Sequence, residues 1–319
     1  MRTSQFAAGT ALPLVLSPTT PSEASLAALS AWIEAERTAL EHMLRDAGGV
    51  LFRGFALSSA DEFQQAIQVF GSDLRPYVEG QSQRARIHGA VYTSTEYPPE
   101  HTVTLHNELS YVNNPPRHVY FFCARPPDEG GETPIVDCRR VLAKLAPATR
   151  AAFEGRGILY VKNMHDEGSS GFGKPWQGHF ETGDVPTVER YLKENGVLFE
   201  WLSDGTLRTS QVRPAIARHP ETGEEIWFNQ ATLWHISNLG PLRQSLERML
   251  GEAGLPTNAY FENGDPIDEG MLREVREVMW NEATFFPWQA GDLLFLDNHL
   301  AAHGRNSFSG ERSILVGLS

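Results

Sequence analysis

The hydrophobic positions of the chain change period several times, and each change marks a predicted element. Between residues 25 and 47, Leu26, Leu29, Trp32, Ile33, Leu40, Met43 and Leu44 recur at steps of three and four, the spacing of one helix face. Ser22 is placed to cap this helix and Gly48-Gly49 to stop it. Residues 1–20 carry no such period and read as an irregular lead-in. Residues 50–55, Val-Leu-Phe-Arg-Gly-Phe, read as a buried strand. The run Ser58-Ser59-Ala60-Asp61 caps a second predicted helix with Phe63, Ile67 and Phe70 on one face. Residues 72–104 are polar, interrupted by proline and weakly periodic. Long segments of that kind commonly act as lids or binding loops, and a lid is expected here.

Strand-like patterns return with Leu105-His106-Asn107-Glu108 and with Val119 to Ala124, a run apolar on both faces. A turn at 126–131 leads to an extended piece at 132–137. Helical periods are read at 138–156, 188–195, 242–253 and 268–282, with strand-like pieces at 157–161 and 226–228. Two further strands are expected at 293–297 and 312–318. No internal repeat and no linker divides the chain. The pattern predicts a single α+β domain over 1–319, mainly β, with flanking helices and a partly helical insert within 138–285.

Composition narrows the function classes. The formal net charge of −13 argues against nucleic acid as a partner, because no basic stripe offsets it. Cys123 and Cys138 are the only cysteines, too few for a disulfide framework and too far apart for a paired-thiol metal motif. They fit a reduced, cytoplasmic protein. No apolar run reaches the roughly 18 residues of a membrane span, so no membrane partner is expected. Oligomeric state is not encoded in any pattern here.

Candidate chemistry sits in the 105–111 segment. On a strand, residues two apart share a face, so His106 and Glu108 converge and Asn107 looks away. An imidazole and a carboxylate on one face are part of a facial metal site. With a second histidine they leave three octahedral positions open, which suits Fe(II) with a cosubstrate and oxygen. His299 and His303 both qualify as the third ligand. His165-Asp166-Glu167 is a weaker pattern in a Gly/Ser-rich stretch and reads as loop. Arg312 heads a strand whose next residues on its face, Ile314, Val316 and Leu318, are apolar. A guanidinium there is costly to bury without an anion and is shaped to grip a carboxylate. Gly130-Gly131-Glu132-Thr133-Pro134 presents a threonine hydroxyl where a strand begins.

Taken in order, these pieces resemble the Fe(II)- and 2-oxoglutarate-dependent dioxygenases of the taurine dioxygenase (TauD/TfdA) family. The resemblance covers nearly the whole chain. It includes Gly49 to Phe55, Tyr92-Thr93-Ser94-Thr95-Glu96-Tyr97-Pro98, Leu105 to Glu108, Gly130 to Pro134, Trp288 to Asp292 and Asp297 to Arg305. It implies a double-stranded β-helix (jelly-roll, cupin-like) core. It assigns His106, Glu108 and His303, rather than His299, to the metal. It also assigns Thr133 and Arg312 to the far carboxylate of 2-oxoglutarate.

Two departures inform the substrate. Glu108 stands where taurine dioxygenase has Asp, which resembles the branch of syringomycin-type biosynthetic hydroxylases. The region after Arg312 also lacks the second arginine used for a sulfonate, which argues against taurine. Glu108 is also unlike the small residue of the related halogenases. The resemblance therefore implies Fe(II), 2-oxoglutarate and O2 as requirements, and hydroxylation of an unactivated C–H bond of a small amino-acid-like substrate, free or tethered to a carrier protein. Succinate and CO2 are the expected coproducts. Desaturation or cyclisation by the same oxidative chemistry, a catalytically dead barrel acting as a binding protein, and a zinc hydrolase on a similar barrel are the alternatives. Tyr77, Arg84, Arg86, Ser94 and Glu96, together with Asn107, are the candidate substrate contacts.

Overall fold

A computed structural model describes every residue except 8, 72, 81–83, 95, 96 and 170. Its first strands are β1 (Arg2–Gln5), β2 (Leu14–Ser17), β3 (Gly49–Phe52), β4 (Arg86–His88) and β5 (Val91–Thr93). Then come β6 (Val103–His106), β7 (His118–Arg125), β8 (Glu129–Gly130), β9 (Ile135–Asp137) and β10 (Gly157–Met164). The series continues with β11 (Leu198–Trp201), β12 (Leu207–Pro214), β13 (Ile216–Arg218), β14 (Glu225–Trp227) and β15 (Thr257–Phe261). It closes with β16 (Leu293–Asp297), β17 (Ala301–Arg305), β18 (Phe308–Ser309) and β19 (Ser313–Leu318).

The major sheet runs β1-β2-β3-β16-β7-β19-β5-β4, and a minor sheet runs β6-β17-β9. Period-two alternation explains why the central strands are apolar throughout. On β16, Leu294 and Leu296 face the minor sheet, in one core with Leu105, Ile135, Val136, Ala301 and Ala302. Leu293 and Phe295 face the other way, in a second core with Leu29, Ile33, Leu40, Leu44, Phe63 and Ile67 from the helices Leu26–Ala35, Arg37–Ala47 and Ala60–Val69. Strands β7 and β19 divide between the same two cores, Val119 and Phe121 against Tyr120 and Phe122, and Ile314 and Val316 against Leu315. A strand covered on both faces has no polar side to present. Two facing sheets closed in this way form the jelly roll expected from the resemblance.

Several expectations are corrected. The lead-in contains β1 and β2, and β2 pairs in parallel with β3. The predicted 25–47 helix is two helices that break at Glu36, and Ser25 rather than Ser22 caps the first by accepting from Ala28 N. Residues 72–104 are not wholly irregular. They hold the β4–β5 hairpin at the edge of the major sheet, whose three-residue strands are too short to show a period. A four-stranded sheet, β11-β12-β10-β15, forms within the 138–285 insert expected to be partly helical. No helix among the described residues is long and apolar enough to cross a membrane.

Candidate metal centre

The minor sheet builds the centre. In its register His303 on β17 is the direct partner of His106 on β6, and Ile135 on β9 flanks His303 from the other side. Direct partners place their side chains on the same face about 5 Å apart. The two imidazole centroids are 4.6 Å apart. His303 lies on a strand that is not among those predicted from the sequence. Leu300-Ala-Ala-His-Gly-Arg has little intrinsic β character, and its two neighbours in the sheet impose the conformation. The register slips between His303 and Arg305. The slip sits at Gly304, where a Cβ would lie 2.6 Å from Val103 O, so the backbones approach as only glycine allows.

Glu108 joins them by another route than a continuous strand. Strand β6 ends at His106, and Glu108 opens a turn in which Leu109 has φ 52°. A side chain in that left-handed region costs about 1 kcal/mol, so something must hold the turn. Asn298 does so. Its Oδ1 accepts from Glu108 N at 2.7 Å, and its Nδ2 donates to Glu108 O and to Pro116 O, each at 2.8 Å. The side-chain amide of Asn298 thus stands in for the strand partner that Glu108 lacks.

His106, Glu108 and His303 offer ligand atoms that all lie within 4.8 Å of one another. Their protonation suits a cation. Burial, with the neighbouring His303 next in size, lowers the His106 pKa to about 4, so its ring is neutral at ordinary pH. His106 Nδ1 is 2.8 Å from Thr104 O, a carbonyl that can only accept, so Nδ1 carries the proton and Nε2 keeps its lone pair for a metal. Burial works against ionisation of Glu108, but the Arg84 guanidinium and the two imidazoles outweigh it and hold the carboxyl below its usual range. Two imidazoles and one carboxylate fit a divalent transition metal with open positions and, among the described residues, lack the fourth protein ligand of structural zinc.

A small cavity runs from this triad to Arg312. His106, His303 and Arg84 line it together with Thr133, Ser94 and Arg312. Arg312 Nε donates to Gly131 O at 3.1 Å, Nη1 to Ser94 Oγ at 3.2 Å and Nη2 to Thr133 Oγ1 at 3.5 Å. All three acceptors are neutral. Burial, reinforced by the nearby Arg305, lowers the Arg312 pKa to about 10, and among the described residues no carboxylate pairs with it. Thr133 Oγ1 also accepts from Trp288 Nε1 at 3.1 Å, which leaves its own O–H to donate to a ligand. Trp288 is held through Asp292, which accepts from Gln289 N and pairs two-pronged with Arg53, at 3.0 Å to Nε and 2.6 Å to Nη2. The Arg53 and Asp292 motifs therefore act at a distance, by positioning Thr133.

The other candidates separate. His299 stacks on Phe228 at 4.4 Å, outside the triad. His165 bonds within its own loop. Asn107 is turned away from the cavity: its Nδ2 donates to Asn298 O and Cys138 Sγ, and its carbonyl accepts from Gln230 Nε2. These bonds tie it to the loop that carries Asn298. Arg86 is exposed and pairs with Glu181 at 2.8 Å. Ser94 belongs to the Arg312 end. Tyr77 is buried under Arg84, whose Cζ lies 4.0 Å from its ring centroid. Glu96 lies outside the described residues.

Three participants had no individual signal in the sequence. Asn298 and Phe121, whose ring meets His303 edge-on at 4.9 Å, become visible only through tertiary contact. Arg84 is indistinguishable in sequence from Arg86.

Comparison with protein families matches residues 13–318 to the model described as "Taurine catabolism dioxygenase TauD, TfdA family". The chain is 39% identical over 280 residues to the dapdiamide synthesis protein DdaC of Enterobacter agglomerans, covering 88% of this chain and 84% of that protein. It is 31% identical over 320 residues to a clavaminate synthase-like protein of Arabidopsis thaliana, covering 96% and 93%. Among solved structures, PvcB of Pseudomonas aeruginosa shares the fold at a TM-score of 0.57 and 16% identity, over 97% of this chain and 86% of that one.

Proposed function

The chain belongs to the TauD/TfdA family of Fe(II)- and 2-oxoglutarate-dependent dioxygenases, and we propose that it hydroxylates an unactivated C–H bond of a small amino-acid-like molecule, free or carrier-tethered. In this reading His106, Glu108 and His303 hold the iron. Thr133 and Arg312 hold the far carboxylate of 2-oxoglutarate. The observation that carries it is that one cavity is lined both by the two imidazoles of a two-imidazole, one-carboxylate donor set and by Arg312, which among the described residues has no carboxylate partner. The bound iron with 2-oxoglutarate supplies oxidation of a C–H bond by O2, with release of succinate and CO2.

The chain's own residues bind, orient and exclude water. Thr104 fixes the His106 tautomer, and Asn298 fixes the Glu108 turn. Arg312 and Thr133 supply a charged and a neutral donor to one carboxylate, an arrangement that selects a planar anion over water. Residues of the 72–104 segment, Arg84 and Ser94, close the cavity on one side, consistent with a covering role for that segment. The relative named for dapdiamide synthesis supports a biosynthetic, amino-acid-like substrate over taurine. Cys123 and Cys138 are buried and unpaired, which supports a reducing, cytoplasmic setting.

Anaerobic titration of the protein with Fe(II) and 2-oxoglutarate should produce a weak visible charge-transfer band. A succinate-release screen over free and carrier-bound amino acids should then find the substrate. Absence of the band in folded protein would sink the metal-site assignment and favour a catalytically dead barrel.

A further inference from the structure

Arg84 occupies an unusual position for a cation. Its side chain is 3% exposed and its Nη2 lies 2.8 Å from Glu108 Oε2, itself on a side chain 4% exposed. Its plane rests against Tyr77. Its Nε and Nη1 are buried and, among the described residues, have no hydrogen-bond partner. At least three of its five N–H groups are therefore unsatisfied, beside the cavity that holds His106 and His303. Buried unsatisfied donors on a charged group are costly, so a group that accepts them is expected to bind here.

The charge balance identifies that group. Once a divalent metal and dianionic 2-oxoglutarate are in place, the metal, Arg84, Arg312 and the cavity-lining Arg305 carry five positive charges. Glu108 and the cosubstrate carry three negative ones. Of the two positive charges left among the described residues, one stays at the Arg84 end, because Arg305 lies beside Arg312, which faces the far carboxylate. Lys174, with Nζ 5.8 Å from the centroid of the Tyr77 ring, adds to the positive field on that side. The free edge of a guanidinium is matched by a carboxylate, which accepts two parallel N–H bonds.

We infer that Arg84 is the receptor for a carboxylate of the substrate, so the molecule oxidised is an acid that presents this group beside the metal. The inference rests on the metal-site reading above. One edge of the guanidinium steadies Glu108 while the other receives the substrate. A substrate tethered as a thioester through its only carboxyl group lacks the required anion. A tethered substrate therefore has to carry a second carboxylate.

The test uses acetate and acetamide as probes on the full chain. The protein is loaded with Mn(II) and saturated with N-oxalylglycine, a non-reacting analogue of 2-oxoglutarate. Paramagnetic broadening of each probe's methyl proton line then reports its approach to the metal. Acetate should be broadened about tenfold more than acetamide, and Arg84→Gln should bring acetate down to the acetamide level. Arg84→Lys, which keeps the charge but loses the planar fork, should fall between them and serves if the glutamine variant does not fold.

Equal broadening of the two probes by the unaltered protein, or acetate unaffected by either substitution, overturns the inference. Loss of N-oxalylglycine rather than acetate in the variants also overturns it, by assigning Arg84 to the cosubstrate's near carboxylate. Failure of the unaltered protein to bind Mn(II) or N-oxalylglycine at all would instead remove the metal-site reading, a distinct result.

Discussion

His303 is the cross-strand partner of His106, and their ring centroids lie 4.6 Å apart on one face of the minor sheet. The two residues are separated by nearly two hundred positions in the chain, so the pairing of β6 with β17 is what creates the centre. Anything that shifts this register by one residue sends one imidazole to the opposite face.

Replacement of either histidine by alanine should lower Mn(II) affinity by more than about a hundredfold, since one of three protein ligands is lost. The fold should survive, because the ring faces a cavity rather than a packed core. Calorimetric titration with Mn(II), alongside circular dichroism, checks both parts. Unchanged affinity in His303→Ala, with loss in His299→Ala, would reassign the third ligand.

Arg312→Ala should raise the 2-oxoglutarate concentration needed for half-saturation by about tenfold to a hundredfold while metal affinity stays within about twofold. Thr133→Val removes one neutral donor and should cost less, about three- to tenfold. N-oxalylglycine isotherms on Mn(II)-loaded variants measure this without turnover. A parallel loss of metal binding would show that these residues support the triad instead of the cosubstrate.

Asn298→Ala removes the acceptor of Glu108 N and the donor to Glu108 O and Pro116 O. Buried backbone groups left without partners should cost about 2–4 kcal/mol in total. Because the same bonds hold the Glu108 turn, metal affinity should fall together with stability. Urea melts of the metal-free protein and Mn(II) titrations of the same preparations test the link. A variant that loses stability but binds Mn(II) normally would refute the positioning role.

His118 carries a pH signature in the fold. Burial lowers its pKa to about 4, against an ordinary value near 6.5. Between those values the unfolded chain binds a proton that the folded chain does not. Stability should therefore fall as pH drops from about 6.5 to about 4, by at most about 1.4 kcal/mol per pH unit from this group. Its partial exposure reduces that figure. Urea melts across this range should show a flatter dependence in His118→Asn. An identical slope in the variant would assign the effect to other groups.

Long-period features were legible in the sequence. Leu29, Ile33, Leu40 and Leu44 mark helical faces, and the apolar runs at 119–124 and 293–297 mark central strands; apart from Ala124 and Asp297 these residues lie in the two cores. Strands such as β4, β5 and β17 were not legible. They are three to five residues long, and β17 is built of alanine, histidine, glycine and arginine, so their conformation comes from their neighbours. The convergence of His106 and Glu108 was expected from a continuous strand. They do converge, but by way of a strand end and a braced turn.

The sequence by itself determined the family, through six short motifs in a fixed order, and with it the residue types for a metal and a planar anion. It also determined the apolar periods that bury the central strands on both faces. Only the tertiary structure separated Arg84 from Arg86. The two lie two positions apart with the same side chain, yet Arg84 is buried on Glu108 and Arg86 is exposed on Glu181. Local patterning records whether a position prefers core or surface. Which charge a buried guanidinium meets, and which of its N–H groups go unmet, depends on chain segments brought together from far apart.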